Sequence, residues 1–129
     1  SIGDHAADIA EIVPHLAGVR KAGDPAVSRS IEMGRKAHKM LQDAMSAFAA
    51  EDEAAAKAVI DADDAVDYDF NSIKRMLAAE IAADPSKVDA ALDVLMVIKY
   101  LERIGDHAVN IAEWVEFLRT GRYHHEKMF

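Results

Sequence analysis

Apolar positions recur along this chain at steps of three and four over long stretches, the spacing of amphipathic helices. Val59, Val66, Phe70, Ile73 and Leu77 mark one such seam. Val97, Leu101, Ile104, Ala108, Ile111, Val115 and Leu118 mark another, with Leu95, Ile98, Val109 and Ala112 beside it. So wide an apolar face needs more than one neighbour to cover it. A third stripe reads Val27, Ile31, Gly34, Leu41, Met45 and Phe48. The breaks between seams are short and chemically distinct. Asp24-Pro25 is a helix start, with Asp as N-cap and Pro at the first helical position. Glu51-Asp52 interrupts the pattern, and Asp52 suits the next N-cap. Asp84-Pro85-Ser86 is a tight break, and Ser86 followed by Asp89 resembles a capping box.

Four helices are predicted: Ile2 to Leu16, Pro25 to Ala50, Glu53 to Ala83 and Lys87 to Thr120, the last stopped by Gly121. The last two are long, on the order of 45–50 Å at 1.5 Å per residue. Long helices with short breaks pack as antiparallel neighbours, so the expected fold is an all-α, up-down bundle. Alanine supplies much of the 51% hydrophobic content and aromatics only 6%, which favours helix. Scattered Met residues read as core filling.

The segment from Ile2 to Val13 (IGDHAADIAEIV) returns from Ile104 to Val115 as IGDHAVNIAEWV, with nine of twelve positions identical. Heptad packing alone does not put Gly-Asp-His-Ala and Ile-Ala-Glu in register twice, so the chain carries an internal duplication. Residues 1–20 then read as the remnant of the last helix of a first repeat. Residues 21–27 read as a linker, 28–121 as a complete three-helix second repeat and 122–129 as a polar tail. Ser1 aligns with Arg103, one position past Glu102. A truncated form, a proteolytic product or a part of a protein roughly one repeat longer is therefore expected.

The formal charge of −8 argues against nucleic acid and anionic lipid as primary partners. Without cysteine there is neither a disulfide framework nor a thiolate metal site, and a reducing, cytoplasmic setting fits. No run of about 20 apolar residues supports insertion into a membrane.

The candidate chemistry is acidic. Asp63 and Asp67 are four apart on one predicted helix, and Glu102 and Asp106 are four apart on the next. Asp63 falls in the apolar seam between Val59 and Val66, a costly place for an uncompensated carboxylate. Folding the hairpin at Pro85 levels the two pairs: Asp67 lies 18 residues before it and Glu102 17 after, Asp63 22 before and Asp106 21 after. Four carboxylates at one height are either partly protonated or bridged by cations, and hard metals with oxygen ligands suit them. Asn110, one turn beyond Asp106, offers a carbonyl ligand. In the first copy the matching acids are Asp4 and Asp8. A solvated acidic face with ordinary ion pairs to Lys74, Lys99 or Arg103 accounts for the same spacing. His5 and His107 turn away from the motif aspartates, and His38 reads as a core histidine. No Glu-x-x-His occurs, which argues against a ferritin-like di-iron oxidase. No nucleophile motif or phosphate loop is present, so no enzyme activity is expected.

The stretch Leu101-Glu102-Arg103-Ile104-Gly105-Asp106-His107-Ala108-Val109-Asn110-Ile111-Ala112-Glu113 resembles the PhoU family, as does Asp63-x-x-Val66-Asp67. That resemblance implies six-helix proteins of two similar bundles with multinuclear iron, zinc or other metal sites at the acidic motifs. It implies negative regulation of phosphate uptake and of the phosphate-starvation response. The implied partners are the ATPase subunit of a phosphate ABC transporter and a sensor histidine kinase, with homo-oligomers as a further possibility. Glu102 and Asp106 match the family motif directly; Asp4 matches without its glutamate partner. The alternatives are a helical interaction module without metal and a PhoU-like domain of a larger transport-related protein.

Overall fold

A computed structural model describes residues 23–120. The predicted helix from Ile2 to Leu16, the acids Asp4 and Asp8 and the tail 122–129 lie outside the described residues. The described chain is three α-helices: α1 (Pro25–Ala50), α2 (Glu53–Ala83) and, after a single 3-10 turn at Pro85–Lys87, α3 (Val88–Thr120).

Local chemistry sets each boundary. The Asp24 carboxylate accepts from the Ala26 amide at 2.8 Å, and Pro25 opens α1. Residues 25–27, counted above with the linker, are therefore its first turn. At the far end Glu51 takes φ 54°, in the left-handed region. This lets the Asp52 amide return to the Ala47 carbonyl at 2.9 Å and close the helix. Asp52 then accepts from the Ala55 amide at 3.0 Å and starts α2. The third junction differs from the expected capping box. The Ser86 hydroxyl donates to Asp84 at 2.6 Å, and the Ser86 amide donates to the same carboxylate at 3.1 Å. Asp84, not Ser86, is the capping group, and its pairing with Ser86 holds its carboxyl below the usual range.

Each helix packs against both others. From α2 the core takes Val59, Val66, Phe70, Ile73 and Leu77, the whole predicted seam, and from α3 Ile98, Leu101, Ile104, Ala108, Val109, Ala112 and Val115. Leu118, the predicted end of the α3 seam, is exposed instead, as is Leu92. The largest departure is in α1. Its buried line is Ala26, Val27, Ser30, Met33, Gly34, Ala37, Met40, Leu41, Ala44 and Ala47, which includes Val27, Gly34 and Leu41 of the predicted stripe. The predicted Met45 and Phe48 are 37% and 48% exposed, and Ile31 is half-buried. Small side chains share the inner face with Met33, Met40 and Leu41 because α1 packs on two helices at once, and alanine lets the axes approach. Met33 and Met40 fill core, whereas Met45 and Met96 are exposed and correct the reading of every Met as core. His38 is half-buried rather than in the core.

A polar tie joins α1 to α2. Asp69, buried on α2, receives the Lys36 ammonium of α1 at 2.8 Å. Glu113 and Glu116 are also buried, on the inner side of α3.

Candidate metal centre

The antiparallel packing of α2 on α3 brings the two acidic pairs together. Burial pushes the Asp63 carboxyl up from 3.8 to about 6, helped by the negative charges of Asp67, Asp106, Asp64 and Glu102. Asp67 is raised by burial and then by Glu102, Asp106 and Asp64. Asp106 is raised by burial and by Glu102, and Lys99 acts against that rise. Each of these shifts includes repulsion from across the helix pair or along one helix, as matched distances from Pro85 require. Asp63 and Asp67 are half-buried, Glu102 is half-buried and Asp106 is exposed, so the acids sit at the rim of the core with access to solvent.

Gly105 is buried between Glu102 and Asp106. A methyl group added there would stand 3.4 Å from Asp63 Oδ1, 3.6 Å from Val66 and 3.9 Å from Met40. These are ordinary contact distances, so the position is packed against Asp63 without excluding a methyl group.

Asn110 is not among the groups that shift Asp63, Asp67 and Asp106. It is half-buried and lines an apolar groove of about 560 Å³ between α1 and α3, with Met45, Phe48, His107, Ile111 and Trp114. Trp114 stacks on Phe117 at 5.5 Å beyond it. The predicted site therefore divides: Asp63, Asp67, Glu102 and Asp106 share one region, and Asn110 faces the groove. Two side chains near the acids carry no acidic signal of their own. Lys99 pairs with Glu102 at 3.1 Å, and Lys99 and Lys74 lie over the Phe70 ring at 5.2 and 5.7 Å. Two lysines three and four residues from ring and acid are a weak pattern in a chain with 29% charged residues.

Oxygen-only donors in an acidic, half-buried setting fit a hard cation such as a first-row divalent metal. As the side chains stand, no group of three or more His, Asp or Glu among the described residues surrounds one point.

Residues 31–115, which include all four carboxylates, match the PhoU domain. The chain belongs to the PhoU family. It is 39% identical over 117 residues to the phosphate-specific transport system accessory protein PhoU homolog of Caulobacter vibrioides, covering 88% of this chain and 51% of that protein. The PhoU homolog of Clostridium acetobutylicum is 36% identical over 121 residues, 94% of this chain and 54% of the relative. That of Zymomonas mobilis is 34% identical over 121 residues, 94% and 50%. The chain thus spans about half the length of the curated PhoU relatives it matches. No solved structure matches. The all-α bundle expected from the resemblance is the one observed, and no described helix is long and apolar enough to cross a membrane.

Proposed function

We propose that this PhoU chain is a metal-binding accessory and negative regulator of phosphate transport, working by protein contact rather than catalysis. The names of its relatives, phosphate-specific transport system accessory proteins, support the transport role. The reading places it on the cytoplasmic side, in contact with the ATPase subunit of a phosphate transporter and with a sensor histidine kinase that governs the starvation response. The observation that carries the metal part is the raised state of Asp63, Asp67 and Asp106, each lifted first by burial, then by repulsion that crosses the α2–α3 pair at Asp63 and Asp67 and comes from Glu102 on its own helix at Asp106. Carboxylates held where they repel one another gain when a cation joins them. Asp63, Asp67, Glu102 and Asp106 would hold it, with iron or zinc as candidates and more than one ion accommodated by bridging carboxylates. A bound metal would supply positive charge that pins α2 to α3 and rigidifies the face a partner reads.

Elemental analysis of the purified chain tests this directly. The unmodified chain is expected to retain transition metal, and Glu102→Ala with Asp106→Ala to lose it. No metal in the unmodified chain, or equal metal in both, removes the metal from the function. A second reading, an interaction module without metal, is favoured by Lys99 already pairing with Glu102. It requires that the double variant still bind the transporter ATPase subunit with unchanged affinity.

A further inference from the structure

The groove between α1 and α3 is walled by apolar side chains that the core leaves partly or wholly exposed, Met45, Ile111 and Trp114 among them. A second hollow of about 320 Å³ adjoins it, with His107 in the wall of both. Together they follow α3 from Tyr100 to Trp114, roughly 21 Å at 1.5 Å per residue, enough for a short helix to lie in. Leu41 shares one hollow with Tyr100 and Ala49 the other with Trp114, so α1 and α3 run in the same direction. The internal duplication points to the occupant. His107, Ile111 and Trp114 line the groove, and at the same positions of the first copy stand His5, Ile9 and Ile12. A face carried by both copies of a motif can meet itself about a twofold axis, residue i against j and j against i.

We propose that residues 2–13, the first copy of the motif, dock in this groove as a helix, with Ile9 and Ile12 against Ile111 and Trp114. A twofold contact sets the two helices antiparallel. Connectivity agrees: a segment that leads into α1 and lies beside it runs back along it, opposite to α1 and α3. The motif as a helix is roughly 18 Å long, within the extent of the groove. Pro14 follows it directly and marks where that helix bends or stops. The groove begins at Met45 and reaches Ala49, roughly 30–36 Å along α1 from Pro25. With Ile9 at that level, Val13 stands about 6 Å closer to Pro25. The stretch from Val13 to Asp24 extends to roughly 36 Å, so the segment reaches the groove with slack. Docking forms a joint between the two copies of the motif, and the four acids on the α2–α3 side take no part in it.

Two measurements on the full 129-residue chain test this. Trp114 is its one tryptophan, so fluorescence reads the groove alone. Ile9→Asp with Ile12→Asp is expected to shift Trp114 emission to the red and to raise its quenching by acrylamide, while circular dichroism shows the bundle still helical. The chain has no cysteine, so introduced pairs report contact without background. Ile9→Cys with Asn110→Cys, or with Ile111→Cys, is expected to oxidise to a disulfide within one chain. Glu11→Cys with Ile111→Cys is expected not to, because Glu11 lies about 160° around the helix from Ile9. Unchanged Trp114 emission and quenching in a folded double-Asp variant overturns the proposal, and so does failure of both Ile9 pairs to close. Disulfide-linked dimers in place of the internal bond, rising in yield with protein concentration, overturn it in favour of a second copy in the groove. Should the double-Asp variant not fold, the cysteine pairs decide.

Discussion

Asp63 is the residue where the cost of the site is concentrated. Its folded carboxyl holds a proton up to about pH 6, against 3.8 ordinarily. The folded state thus binds more protons than the unfolded one across that window, and its stability falls as pH rises through it. The full shift corresponds to no more than about 3 kcal/mol, and solvent screening of a half-buried group reduces this to roughly 1–2 kcal/mol. In metal-free buffer with chelator, Asp63→Asn is expected to match the unmodified chain near pH 3.5. It should become more stable by that margin at pH 7, the difference opening between about pH 4 and 6. Thermal melts across this range check it; a difference independent of pH, or a variant less stable at pH 7, would be incompatible with the repulsion described. Asp63 was legible in the sequence because it interrupts the Val59–Val66 seam and because distances from Pro85 level it with Asp106. Lys99 was legible only as one of several basic residues, with Lys74 and Arg103, spaced for ordinary ion pairs to the acids. Its position over Phe70 depends on how α2 and α3 rotate about their axes, which residue spacing does not specify. One helical turn beyond Asp106 keeps Asn110 near in height but swings it about 40° around the axis, and it lines the groove beside Trp114.

At the scale of the helix, α1 shows what an apolar pattern conceals. Its ends followed from Asp24-Pro25 and Asp52, groups whose capping chemistry is local. Its inner face followed from bulk only in part. Val27, Gly34 and Leu41 of the expected stripe are buried, whereas Ile31, Met45 and Phe48 are not, and Ala37, Ala44 and Ala47, each at most 1% exposed, take their place. A helix wedged against two others is selected for small residues at the contact, and a hydrophobicity scale ranks those below the large ones outside it. In α2 the whole predicted seam is buried, and in α3 Leu101, Ile104, Ala108 and Val115 are, with Val97 and Ile111 half-buried and Leu118 exposed. The consequence is measurable by chemical denaturation. Ala44→Leu must force three helices apart and is expected to cost about 1–3 kcal/mol. Phe48→Ser removes a far larger apolar group and is expected to cost within about 0.5 kcal/mol, since its ring is half in solvent. The reverse order would mean that the outer face of α1 carries stability and the alanine line does not.

For the whole molecule, charge and connectivity act together. The α2–α3 hairpin turns on one 3-10 turn, so anything that joins Asp63 and Asp67 to Glu102 and Asp106 fastens its two arms some distance from that turn. In a chain of net charge −8 two effects of added cation must be separated. General screening acts on all exposed charges and depends only on ionic strength, with a Debye length of about 8 Å at physiological salt. Site binding stabilises the folded state by RT ln(1 + [L]/Kd), about 2.7 kcal/mol when the ion stands at 100 times its Kd. For a domain near 100 residues each kcal/mol moves the melting temperature by roughly 4–8 °C. Millimolar Mn²⁺ at pH 7 is therefore expected to raise the melting temperature of the chelator-treated chain by about 10 °C or more if Kd is near 10 µM. NaCl of equal ionic strength should give only a small part of this. Near pH 4, where Asp63 holds its proton, the Mn²⁺ increment should shrink, because proton and metal compete for the same oxygens. Glu102→Ala with Asp106→Ala should respond to Mn²⁺ and to matched NaCl alike. Should the unmodified chain do the same, the four carboxylates form a solvated acidic face and the hairpin is fastened by its apolar seam alone.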